Sequence, residues 1–175
     1  MANTLSTLVL IKPDKKDKWE YVVSHLKNLG LEIINVKELT FSSQQADLFY
    51  REDVEWLRKL GKKIYSSCSQ EGIDAFSRFQ VSKNDFVALG KIGSAWNKAY
   101  LKLGSVIAIL IGPNGSRAEN FFPEIEEAVD FLRMVLCNDT FKRTNEEGRA
   151  YHNGIHLART PEEFNHQVKI IWPEE

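Results

Sequence analysis

Ser105 to Ile111 reads SVIAILI, the most apolar run in the chain. Its shortness and β-branched content specify a central strand rather than a helix, because a strand covered on both faces shows no polar alternation. Gly112-Pro113-Asn114-Gly115 breaks the run. That turn lacks the lysine and the serine or threonine of a P-loop at the required spacing, so it reads as a turn alone. Leu5 to Ile11 is a second apolar, β-branched-rich run, and it stops at Lys12-Pro13-Asp14, where proline cannot continue a central strand. Lys12 is thereby displayed at a strand's C-terminal end. Leu31 to Phe41 carries Ile33, Ile34, Val36 and Leu39 without helical period and reads as a further strand.

Between these runs the spacing predicts helices. Asp17 with Glu20 resembles a capping box, and Trp19, Val22, Val23, Leu26 and Leu29 recur at helical spacing until Gly30. Ser42 with Gln45 opens a short helix to Phe49-Tyr50, where Tyr50 packs its ring inward, and Val54, Leu57, Leu60 and Ile64 mark another. Ser66 to Gln80 is polar with little period. Phe86, Leu89, Trp96 and Tyr100 then predict a helix from about Lys83 to Lys102, although Gly90 and Gly93 weaken a straight one. Pro123 with Glu124, Glu126 and Glu127 loads a helix start with negative charge, ahead of the stripe Ile125, Ala128, Val129, Leu132 and Leu136. Lys142 to Gly148 is a charged, turn-rich run, Tyr151 to Ala158 a short strand, and Thr160-Pro161-Glu162-Glu163 the start of a last helix with Phe164, Val168 and Ile171.

This order predicts an α+β protein: a ferredoxin-like βαββαβ antiparallel sheet with inserted helices and a C-terminal helix. No segment looks like an interdomain linker, so residues 1–175 read as a single domain with a helical insertion at about 54–103. With 175 residues and 43% hydrophobic content the chain can bury a full core. A net charge of −1 supplies no general cationic field for nucleic acid, so none is expected as a partner. Cys68 and Cys137 have no metal-like spacing, no leader-like apolar stretch precedes the first strand, and no run reaches the ~20 residues of a membrane helix. The expectation is a reduced, cytoplasmic protein without a membrane segment or a protein-built metal site.

Chemistry concentrates in Arg149 to Arg159, RAYHNGIHLAR, centred on His156. Asn153 and His156 can share a site only if the chain bends between them, because residues three apart on a strand face opposite ways. Gly154 permits that bend. A lone histidine beside apolar neighbours is usually structural, and Arg133 near a helix C-terminus suits the helix dipole without any function. Strand ends in a ferredoxin-like sheet could nevertheless bring Lys12, Arg133 and His156 towards one cleft.

Taken together, Ile11-Lys12-Pro13-Asp14, Tyr50 after a short helix, Ala128-Val129 with Arg133 and Leu136, and Asn153-x-x-His156 resemble the nucleoside diphosphate kinase family, in the same order and across about Thr4 to Trp172. The resemblance implies transfer of the γ-phosphoryl of a nucleoside triphosphate to a nucleoside diphosphate by a ping-pong route. His156 matches the nucleophile that becomes phosphohistidine, a role suited to a neutral imidazole near pH 7. Lys12, Arg133 and Asn153 match residues that hold phosphate or sugar oxygens, and Tyr50 matches a nucleotide-binding position. Mg²⁺ is implied as an ion carried on the nucleotide phosphates, and a homo-oligomer is implied as the assembly. For the family's loop arginine, Arg143 is taken; the alternative pairing places Arg149 in Asn145-Glu-Glu-Gly-Arg149-Ala150 and leaves that arginine deleted.

The sequence also departs from the family. Leu157, Ala158 and Arg159 stand where glycine or alanine, serine and often aspartate follow the histidine; Lys15 replaces a glycine; and Gln167 occupies the place of the glutamate that orients the histidine ring. The aromatic that stacks on the base has no clear counterpart, with Trp56 and Leu60 both near its expected region. Two readings follow: a working nucleoside diphosphate kinase, or a non-catalytic relative that binds nucleotide or a partner protein.

Overall fold

The computed structural model describes residues 5–114, 120–147 and 150–173. They fall into two units: one holds the described residues up to Phe49, Leu101–Asn138 and those from Asn153 on, and the other holds Tyr50–Tyr100 and Asp139–His152.

The first unit is built on four strands, β1 (Thr7–Ile11), β2 (Leu31–Thr40), β3 (Ser105–Pro113) and β4 (Ile155–Leu157), in the sheet order β2-β3-β1-β4. Every neighbouring pair is antiparallel, with Thr7 opposite Ile111 and Leu10 opposite His156. β3 therefore lies between two parallel strands and β1 between another two, the paired split βαβ arrangement of an α+β ferredoxin-like sheet. The run SVIAILI is the interior strand because both its faces find cover: Val106 to Ile109 are buried without a break. Helices α1 (Trp19–Asn28) and α6 (Phe121–Leu136) lie on one face. There Val22, Leu26, Ile125, Val129 and Leu132 pack with Val9, Ile11, Ile155 and Leu157. Each such aliphatic side chain contributes about 1.5–3 kcal/mol on burial.

α2 (Ser43–Phe49) and α8 (Pro161–Ile171) start as the sequence predicts. Ser42 Oγ accepts from Gln45 N at 3.1 Å while Ser42 N donates to Gln45 Oε1 at 3.0 Å, a reciprocal box. Thr160 Oγ1 accepts from Glu163 N at 3.1 Å. Asp17 caps nothing: a 3-10 helix, Pro13–Lys18, carries the chain into α1, Lys18 takes the cap position, and the Asp17 carboxylate pairs with Lys18 at 2.7 Å. Proline at the first position presets the φ of that 3-10 turn.

The second unit is helical. α3 (Val54–Gln70) runs past Ile64, and α4 (Ala75–Arg78) follows it, so more than half of the stretch that lacks period is helix. Asp74 makes that short helix possible by accepting from Phe76 N at 3.1 Å. α5 (Phe86–Leu101) contains Gly90, and the glycine serves packing: a Cβ there would meet Leu57 O at 2.0 Å, and one on Gly61 would meet Phe86 O at 1.8 Å. α3 and α5 thus touch backbone to backbone. The charged run after Cys137 is also a helix, α7 (Phe141–Glu146), rather than a loop. Thr140 caps it through Arg143 N, and the Glu71 carboxylate accepts from Phe141 N at 2.9 Å and from Lys142 N. Phe141 then joins Ile64, Cys68, Phe76 and Leu89 in this unit's core.

Two strand limits also shift. β3 continues through Gly112 and Pro113, where Pro113 faces Leu31 at the sheet's end, so the turn begins later than Gly112. β4 holds only Ile155–Leu157, because Gly154 turns the chain before it.

Candidate functional site

The site grows from the pairing of β1 with β4. Val9 and Ile11 face the α1–α6 layer, so Leu10 and Lys12 face the other way, and His156, opposite Leu10, shares their face. Just past the last pair, Lys12 N donates to Gly154 O at 2.8 Å, and Ile155 N donates to Asn153 O at 2.7 Å. Gly154 makes this bend with φ +67°, a left-handed conformation that favours glycine. Space demands glycine as well: an added Cβ would lie 2.3 Å from Cys137 Sγ and 2.9 Å from Lys15 Cγ. The bend turns Asn153 back, and Lys12 Nζ donates to its Oδ1 at 2.5 Å. Arg133 reaches the same bend from α6, where its Nε donates to Ile155 O at 2.9 Å and its Nη1 to Asp130 Oδ1 at 2.9 Å.

The electrostatics of this cluster suit an anion. Lys12 is 1% exposed, and burial, reinforced by the Arg133 charge, pulls its ammonium from 10.5 down to about 7. Burial also lowers Arg133, helped by the charge on Arg159. The His156 imidazole falls from 6.5 to about 3, chiefly through burial; the Gln167 hydrogen bond opposes the shift, and the charges of Lys12, Arg133 and Arg159 add to it. The ring is neutral throughout the physiological range. Phe49 meets it edge-on with centroids 5.4 Å apart, and its Nε2 lies 2.9 Å from Gln167 Oε1. Gln167 Nε2 in turn donates to Glu163 Oε1 at 3.2 Å. A neutral imidazole beside the buried Lys12 and the partly buried Arg133 combines a nucleophile with stabilisation for phosphate oxygens.

Lys12, Arg133, Asn153 and His156 are thus gathered at one strand end of the first unit. Tyr50 and Arg143 belong to the second. Tyr50 is buried, as its inward-packing expectation has it, and stacks on Trp56 with centroids 5.7 Å apart; Arg143 lies on α7, with its Nε donating to Glu147 at 2.8 Å. Leu60 packs against the core of that unit. Arg149 lies outside the described residues. Gln167 does hold the histidine ring, as its place in the sequence implies. Glu163 is the residue the sequence reading missed. It carries a helix-start signal that hides its second contact, and only its spacing of four from Gln167 hints at that contact.

Among the described residues no group of three or more His, Cys, Asp and Glu could hold a metal ion, and no helix is long and apolar enough to cross a membrane.

Comparison with known proteins gives a consistent picture. No protein-family profile matches the chain. A curated nucleoside diphosphate kinase from Pyrobaculum aerophilum is 25% identical over 178 residues, which cover 97% of this chain and 95% of the relative. The crystal structure of an NDP kinase from Pyrobaculum aerophilum superposes with a TM-score of 0.75 at 23% identity, over 98% of this chain and 97% of that one. The transition-state mimic of a nucleoside-diphosphate kinase from Borrelia burgdorferi, with bound vanadate and ADP, superposes with a TM-score of 0.59 at 17% identity, over 98% and 88%. The two superpositions are likenesses of fold.

Proposed function

Because the chain is a divergent member of the nucleoside diphosphate kinase family, we propose that it transfers the γ-phosphoryl of a nucleoside triphosphate to a nucleoside diphosphate through phospho-His156. The observation that carries this reading is the neutral, partly buried His156 imidazole under the charges of Lys12 and Arg133. In the first half-reaction the Nδ1 lone pair attacks the γ-phosphorus in line. An N–P bond forms, the bond to the β,γ-bridging oxygen breaks, and that oxygen leaves with its electron pair as part of the diphosphate. In the second, a terminal oxygen of another diphosphate attacks the same phosphorus, and the N–P electrons return to the ring.

Lys12 and Arg133 hold the non-bridging oxygens as charge develops, and cations fixed in advance do this without reorganisation. Asn153 holds Lys12 in place and contributes to phosphate or sugar contacts. Tyr50 and Arg143 are assigned to nucleotide binding by the family resemblance alone. Apart from the single Glu163 carboxylate, the charged side chains around the imidazole are cations, which suit an Mg²⁺ carried on the nucleotide's own phosphates rather than by the protein. When bound there, the ion neutralises polyphosphate charge. A homo-oligomer, a cytoplasmic location and a single domain with the 54–103 insertion belong to the same reading.

Two-substrate kinetics test the covalent route: with ATP and GDP varied together, double-reciprocal plots run parallel, whereas intersecting plots would exclude a phosphoenzyme that forms before the acceptor binds. A second reading, nucleotide binding without turnover, is favoured by Ala158 at the family's serine position. Calorimetric ADP binding with no ATP–GDP exchange would select it.

A further inference from the structure

Resting on the reading of His156 as phosphoryl acceptor, we propose that Glu163 is a positioning residue that sets the tautomer of His156 through the side-chain amide of Gln167. A carboxylate only accepts hydrogen bonds, and this one is held firmly. Its Oε2 accepts from Arg159 N at 2.9 Å, and its own backbone N is tied to Thr160 Oγ1 in the first turn of α8. Its Oε1 lies 3.2 Å from Gln167 Nε2, one helical turn on. The amide NH₂ is thereby committed to Glu163, and the amide oxygen faces the imidazole at 2.9 Å. An amide oxygen also only accepts, so the ring nitrogen opposite it must be Nε2–H. In a neutral ring the lone pair then lies on Nδ1.

The opposite amide orientation shows what Glu163 excludes. It would set the Gln167 oxygen against the carboxylate, acceptor to acceptor, and turn the NH₂ towards the ring. Nε2 would then have to supply a lone pair, and Nδ1 would carry the proton and lose its nucleophilicity. Gln167 by itself is indifferent between the two states, because an amide donates at one end and accepts at the other. Glu163 breaks that symmetry. It also stands 3.7 Å from His156 Nε2, close enough for its charge to favour the cationic ring that exists while the N–P bond forms or breaks. The family's carboxylate function is thus retained one turn earlier in the helix and acts through an amide.

The test is ¹⁵N NMR of imidazole-labelled full-length protein without nucleotide, with His156 assigned by its loss in His156→Ala, together with the rate of phosphoenzyme formation. The wild type shows the Nε2–H tautomer. Glu163→Gln and Glu163→Ala show mixed tautomers or Nδ1–H, and phosphorylation slows by about tenfold or more, the usual effect of losing such a partner, with ADP affinity unchanged. Gln167→Glu placed in the Glu163→Gln background restores both readouts, since a carboxylate then faces Nε2–H directly. An unchanged tautomer and rate in both Glu163 variants overturns the proposal. The NMR readout needs no turnover: Glu163-dependent tautomers in a protein that never becomes phosphorylated would refute the kinase reading and leave this one standing.

Discussion

Burying Lys12 has a cost that pH should reveal. Its ammonium titrates near 10.5 when unfolded and near 7 in the folded protein, so between those values the unfolded chain holds a proton that the folded one has released. Stability of the ligand-free protein therefore rises with pH from about 7 to 10.5 through this group, and the full penalty is present below 7. His156, lowered from 6.5 to about 3, works in the same direction over a lower window and costs stability as pH falls below 6.5. Urea midpoints at pH 7 and 9.5 check the Lys12 effect: the wild type gains relative to Lys12→Met as pH rises, and an unchanged gap would contradict it. Gly154 gives a second expectation. Gly154→Ala costs about 1–3 kcal/mol from its φ of +67° and the contact with Cys137 Sγ, and adding Cys137→Ala recovers only part, because the backbone strain remains. Chemical denaturation measures both. The placement of Lys12 and Asn153 was legible in the sequence because each sits beside a chain breaker, Pro13 or Gly154, and that of His156 because it follows the same bend by two residues. Glu163 was not, since its role depends on where the ends of an amide and a carboxylate fall in space.

The helices of the second unit are set by close approach. In Gly61→Ala and Gly90→Ala the new methyl group meets backbone rather than a pliable side chain, so α3 and α5 must separate. The cost is about 3–5 kcal/mol, far above the ~1 kcal/mol that alanine gains in helix propensity. Gly72→Ala, at φ +73° with open space around its Cβ, costs about 1 kcal/mol. Denaturation midpoints that rank the three alike would refute backbone contact as the cause. The reciprocal Ser42–Gln45 box and the Thr160 cap formed as their signals predict, whereas the Asp17–Glu20 box did not. α7 was not legible in the sequence. It spans less than two turns, buries only Phe141 and Thr144, and adds to its local Thr140 cap a second acceptor, Glu71, far away in the chain. The 3-10 turn at Pro13–Lys18 buries nothing and so left no periodicity to find.

The molecule as a whole carries a charge of only −1, so the proposed recognition of a triphosphate would rest on a local cradle rather than on a long-range field. That cradle sits where a buried strand ends, and the sheet that fixes it is the fold shared with the nucleoside diphosphate kinases. The departures beside His156 are built into the same sheet. Leu157 is core, and Ala158 is fully buried, its N donating to Leu8 O and its O accepting from Thr7 Oγ1 at 2.7 Å. The backbone there is held as a strand edge, and the hydroxyl the family places at that position is missing, so slower transfer is expected, not a misplaced histidine. The central claim is that His156 itself carries the phosphoryl group. Incubation of the full chain with γ-labelled ATP and Mg²⁺, followed by acid and base treatment, tests it directly: the wild type should yield an acid-labile, base-stable phosphoprotein that passes its label to GDP, and His156→Ala should yield none. An unlabelled wild type, or equal label in His156→Ala, would contradict the claim.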